Sequence, residues 1–160
     1  MQYSSFQQIV RDQNLEVLRS LLEKDPSLAN RKDEFEGTPL HMAVSVGNAD
    51  IVTLLLEHGA RVDTQSKYHR TPLHIAAFEG GEEILGIVLD HGADPDVQDS
   101  FGLTPLHLAV TEGHEGVCRA LLERGADTNT KDLNGRTPLG VALLESKAEI
   151  ADLLRSYHAV

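Results

Sequence analysis

Tryptophan is absent from this chain and cysteine occurs once. Aromatic residues are few, with three Tyr and four Phe in 160 residues. A core built without large rings must be packed from Leu, Ile, Val and Ala, which supply much of the 41% hydrophobic content. A single cysteine, Cys118, excludes an internal disulfide framework and fits a reducing compartment. No apolar run approaches the ~18 residues that a membrane-spanning helix needs, and no basic N-terminal segment leads into an apolar run as a secretory signal would. Cations are in deficit: 14 Lys and Arg stand against 25 Asp and Glu, for a net charge of -11. That balance opposes nucleic acid and anionic lipid surfaces, both of which require a basic footprint. These absences predict a cytoplasmic protein that binds neither nucleic acid nor membrane.

What the chain does contain is repetition. Thr38-Pro39-Leu40-His41 returns as Thr71-Pro72-Leu73-His74, as Thr104-Pro105-Leu106-His107 and, altered, as Thr137-Pro138-Leu139-Gly140, always at the same spacing. Ala43, Ala76, Ala109 and Ala142 follow in register. In one unit, Thr104 can cap a helix and Pro105 suits its first turn, where a missing N–H costs little. Gly113 ends that helix. A second helix is predicted over 115–123, with Val117, Ala120, Leu121 and Leu122 as its apolar stripe, and Gly125 stops it. Such a unit cannot bury both faces alone and must stack on a neighbour. Both the spacing and the Thr-Pro-Leu-His-x-Ala signature resemble those of the ankyrin-repeat family. The resemblance implies an all-α repeat solenoid of stacked helix-turn-helix units, with short β-hairpin or turn fingers projecting from one edge.

The period divides residues 1–160, read as a single domain, into units at about 4–36, 37–69, 70–102, 103–135 and 136–160. The first is degenerate, with Ser4-Ser5-Phe6-Gln7 in place of the signature and one extra residue near Asp25-Pro26. The last carries Gly140 for the His, Ser146 for the Gly and Arg155 where inner units have Leu. Polar substitution suits terminal units, which have no outer neighbour, so the chain reads as a complete five-unit array that is monomeric alone.

Eight histidines invite a metal or acid–base reading. His41, His74 and His107 recur at the signature position, where the resemblance implies a structural hydrogen bond to the Thr and the adjacent turn. His58 and His91 precede helix-ending glycines, a favourable place for a cationic side chain. No Cys pair or HExxH supplies a zinc ligand set, so no metal and no cofactor is expected. Cys118 aligns with Val52 and Leu85 and reads as a buried hydrophobe. No G-x-S-x-G, P-loop or GxGxxG occurs, and the expectation is a non-enzyme. Asn129 stands where some family members are hydroxylated on Asn.

The resemblance implies that partners lie across the finger tips and the first helices, the palm. At the tips the spacing brings Phe35, Tyr68 and Phe101 into one column, accompanied by Lys67, Arg70, Leu103, Leu133 and Arg136. On the palm stand Phe78 and a row of Glu79, Glu112 and Glu145. Aromatics and Arg dominate interface hot spots, and the Glu row predicts a partner with a basic or mixed-charge surface. The function so read is a non-catalytic protein–protein interaction module. The alternative is a dedicated inhibitor or scaffold that regulates one enzyme.

Overall fold

The structure, a computed structural model, describes the backbone of residues 3–158 and the side chains of residues 6–158. Ser4 and Ser5, at the degenerate first signature, have side chains outside the described residues. Among the described residues, ten α-helices form five antiparallel pairs: α1 (Tyr3–Arg11) with α2 (Leu15–Lys24), α3 (Pro39–Val46) with α4 (Ala49–Glu57), α5 (Pro72–Glu79) with α6 (Glu82–Asp90), α7 (Pro105–Glu112) with α8 (Glu115–Glu123), and α9 (Pro138–Leu144) with α10 (Ala148–Ser156). The odd-numbered helices pack on one another in chain order, and so do the even-numbered ones. The result is two parallel layers of short helices, an all-α solenoid.

Local chemistry sets the helix bounds. Thr38, Thr71, Thr104 and Thr137 stand in extended backbone as N-caps, each followed by Pro at the first helical position. Proline there gives up an N–H that no helix residue would have used, and its φ is already helical. Asn14 and Asn48 cap the second helices of their pairs by accepting the Val17 and Ile51 amides. The extra residue of the first unit is absorbed in a single 3₁₀ turn, Pro26–Asn30, begun by Asp25.

Both layers bury a column of side chains that runs from pair to pair. Leu40, Leu73 and Leu106 are wholly inaccessible, as are Leu55, Val88, Leu121 and Leu154 in the second layer. Cys118 lies in the same core at 0% exposure, and burial pushes its thiol up to about 12. A nucleophilic role needs a thiolate near neutral pH, so this one is inert packing. At the last pair the column opens. Leu143 is 53% exposed, whereas its counterparts Val44, Ala77 and Val110 are buried by the pair that follows them. Leu143 lines a shallow cleft of ≈ 250 Å³ with Ala148, Ala151 and Arg155. The outer face of the last pair is therefore less polar than Gly140, Ser146 and Arg155 alone implied.

The fingers connect one pair to the next. They are tight turns, and no strand occurs among the described residues. Each inner finger is closed by two backbone bonds: Ser66 N–H to Arg70 C=O and His69 N–H to Ser66 C=O in one, Asp99 N–H to Leu103 C=O and Gly102 N–H to Asp99 C=O in the next. A ladder that short forms a turn but not a hairpin of strands. Successive tips are joined by Lys67 N–H to Phe35 C=O, Ser100 N–H to Tyr68 C=O and Leu133 N–H to Phe101 C=O, at 3.0–3.1 Å. Gly102 is required at its tip. Its φ is +74°, and a Cβ there would lie 2.8 Å from the Leu133 nitrogen.

Candidate partner-binding surface

The signature histidines fix where each finger sits. In all three inner pairs the ring Nδ1 accepts the N–H of the capping Thr at 3.1–3.2 Å and lies 2.8–2.9 Å from its Oγ1. Nε2 donates to a carbonyl of the following finger: His41 to Arg70, His74 to Leu103 and His107 to Arg136, at 2.9–3.0 Å. Each imidazole thus ties a helix start to the next turn and is held as the neutral Nε2–H tautomer. Burial lowers the pKa of all three below the ordinary histidine value. His58 and His91 donate from Nδ1 to Leu54 C=O and Ile87 C=O in the last turn of their helices. No group of His, Cys, Asp or Glu among the described residues is arranged to hold a metal.

Three further side-chain columns, which the sequence motifs do not mark, brace the fingers or link the pairs. Asp33, Asp99 and Asp132 sit at finger bases, and Oδ1 of each accepts the amides two and four residues on at 2.8–3.0 Å. Asn30, Asp63 and Asp96 accept the Arg61, Asp94 and Asp127 amides of the following unit. Burial pushes the Asp63 and Asp96 carboxyls up. His114 Nε2 donates to Phe78 C=O, and Lys147 reaches Val110 C=O and Thr111 C=O, so each caps the open end of a helix in the preceding pair. All three columns keep the spacing of the Thr-Pro-Leu-His signature, the first interrupted by Ser66. The signal was present, but polar residues in turns carry no hydrophobic period to draw attention to them.

The side chains singled out in the sequence separate into two sets. Phe35, Tyr68 and Phe101 are 60%, 57% and 56% exposed along the tips, with Leu133 beyond them at 75%. Phe78 is open on the palm at 42%, beside the exposed Glu79 and Glu112. Glu145 is also exposed but is paired with Lys147 at 3.1 Å. Lys67 projects into solvent, whereas Leu103 is half-buried and spends its carbonyl on His74. Arg70 and Arg136 turn inward. Arg70 Nε lies 3.2 Å from Asp99 Oδ2 and Arg136 reaches Asp132 Oδ2 at 2.7 Å, both carboxylates being wholly buried. These two guanidiniums compensate buried charge and leave the exposed tips less cationic than their sequence suggests.

A family model described as ankyrin repeats (3 copies) matches residues 6–99 and 87–160, which together span almost the whole chain. The chain belongs to the ankyrin-repeat family. Stretches of this ankyrin array are also similar to two curated proteins. A serine/threonine-protein kinase, VIK, of Arabidopsis thaliana is 45% identical over 51 residues, 32% of this chain and 12% of that protein. A probable E3 ubiquitin-protein ligase, XBOS33, of Oryza sativa subsp. japonica is 48% identical over 58 residues, 35% of this chain and 11% of that protein. The matched stretches thus cover only 12% and 11% of these relatives' own lengths. Ankyrin repeats are protein–protein interaction modules. No helix among the described residues is long and apolar enough to cross a membrane.

Proposed function

We propose that this ankyrin array is a non-catalytic binding module that docks one protein partner across its finger tips and palm. The observation that carries the reading is the exposed column Phe35, Tyr68 and Phe101 with Phe78 beside it. Four of the seven aromatics lie on one side of the array, although burial elsewhere would remove their cost of hydration. Each can desolvate a large apolar area while losing few rotamers. Leu133 extends the column. Lys67, Glu79, Glu112 and Glu145 form a charged rim, and the three carboxylates favour a partner that brings Lys or Arg. Leu103, Arg70 and Arg136 hold the fingers in place behind that surface. The net charge of -11 adds long-range attraction to such a partner, so association slows as salt rises. The protein acts as a monomer in the cytoplasm, away from nucleic acid and membranes.

The test is a Phe35→Ala, Tyr68→Ala, Phe101→Ala triple variant, first shown to fold normally. Hot-spot truncation costs at least ~2 kcal/mol, roughly thirtyfold in affinity. Capture of the same partner with undiminished affinity moves the search to the opposite face, formed by the second helices.

A further inference from the structure

The second finger departs from the others at its base. Asp33, Asp99 and Asp132 each place a carboxylate oxygen on two backbone amides. The residue in that column of the second finger is Ser66. The backbone frame is unchanged: Ser66 N–H meets Arg70 C=O and His69 N–H meets Ser66 C=O at 2.9 Å, the same bonds and lengths that Asp99 makes in the third finger. The Tyr68 and Arg70 amides therefore converge on the place a carboxylate fills elsewhere. The Ser66 hydroxyl accepts neither, being one bond shorter than an aspartate oxygen. Charge around it is also unlike that of the other fingers. Residues 65–70 contain no acid, whereas residues 32–37, 98–103 and 131–136 each contain one or more. Lys32 Nζ, which pairs with Glu36 at 3.4 Å, also reaches the Gln65 carbonyl at 3.5 Å, Lys67 is exposed beside Ser66, and the partly exposed Arg70, paired with Asp99, lies directly across the turn. In a chain of net charge -11, exposed Lys67 and two ion-paired cations gather about two amides that lack their anion.

We infer that Ser66 is a phosphorylation site whose phosphate completes the second finger. The Ser66 hydroxyl oxygen attacks the γ-phosphorus of a nucleoside triphosphate held by a separate protein kinase. The new O–P bond forms as the bond to the β-phosphate oxygen breaks. The nucleoside diphosphate leaves, and the hydroxyl proton passes to the kinase's base. The product carries close to two negative charges and three acceptor oxygens. One oxygen folds back onto the Tyr68 and Arg70 amides, replacing the missing carboxylate. The others face Lys32, Lys67 and the edge of Arg70, in charge-assisted bonds. Ser66 is half-buried under an exposed tip, so it is open to a kinase. The modification also reverses the charge of the only finger without an acid, in the middle of the tip column. The inference stands on the finger's own geometry and is independent of where a partner docks.

Two measurements on the full chain test it. In the first, purified protein is incubated with labelled ATP and an extract of its source cells, and the label is mapped by mass spectrometry. Label on Ser66 that is lost in Ser66→Ala supports the proposal; label elsewhere with none on Ser66 overturns it. In the second, phosphoserine is placed at residue 66 during synthesis. The expected result is a melting temperature about 2–4 °C above the unmodified protein and a 31P titration midpoint below the usual ~6 for the second ionisation. Ser66→Asp reproduces part of the thermal gain, and Lys32→Gln with Lys67→Gln moves the 31P midpoint back up. A midpoint and melting temperature matching those of a free phosphoserine peptide and the unmodified protein, respectively, sink the cradle. An equal thermal gain in unmodified protein with millimolar inorganic phosphate assigns the anion to solution and overturns the covalent reading.

Discussion

Each signature imidazole is neutral by construction. Nδ1 of His74 accepts from Thr71 and Nε2–H donates to Leu103, so a second ring proton has no acceptor and displaces an amide from its bond. The sign of the pH dependence follows. The folded pKa lies below the unfolded value of about 6.5. The unfolded chain therefore binds more protons in the interval between the two. Stability is full above about pH 6.5 and falls as pH drops from there towards the lowered folded value. Urea midpoints measured from pH 8 to pH 5 should decline below pH 6.5, and less so in His74→Gln. At neutral pH, His74→Ala should cost about 1–3 kcal/mol, the penalty of stranding buried polar partners. The same bonds occupy both nitrogens of His41, His74 and His107, which leaves none for a metal. EDTA should leave the melting temperature unchanged, and a large fall would contradict this assignment.

Among the elements, the segment from the second finger through α6 carries two local costs, a helix-interior glycine and a left-handed histidine. Gly86 lies inside α6 where α4 has Thr53 and α8 has Arg119. A Cβ built on Gly86 meets nothing within 4 Å, so the residue is not demanded by a close approach. Gly86→Ala should stabilise by roughly 0.5–1 kcal/mol, the helix-propensity difference between the two residues. A loss of stability in thermal melts would reveal a tight contact formed by motion of a neighbour. His69 holds φ at +57° in the column where Gly102 and Gly135 stand. An L-residue there carries about 1–2 kcal/mol of strain, partly offset because Gly loses more entropy on folding. His69→Gly should therefore gain up to about 1 kcal/mol, read as a rise in the urea midpoint. Glu36 shares the same strain at φ +59°, a position that no glycine in its own unit marks in the sequence.

At the scale of the whole molecule, the pairs are coupled by the two packed layers and by side chains that cross every junction. Nearest-neighbour coupling of this kind makes a short array unfold as one unit. Circular dichroism at helical wavelengths should show a single cooperative urea transition, coincident with tyrosine fluorescence. Two separated transitions would mean that a junction is weaker than its neighbours, with the one beside α6 the first to examine. The repeat period by itself determined the family, the helix pairs and the aromatic tip column. Periodicity in sequence becomes periodicity in space when identical units stack, and buried Leu columns admit only one register. Only the tertiary structure decided which charges are available at the tips. Arg70 and Arg136 have the same place in the repeat, yet Arg70 answers Asp99 in the next finger and Arg136 answers Asp132 in its own. Lys67, on the same finger as Arg70, has no buried acid to draw it inward and stays in solvent. The difference lies in which finger supplies a buried carboxylate, and that depends on how one turn rests on the next.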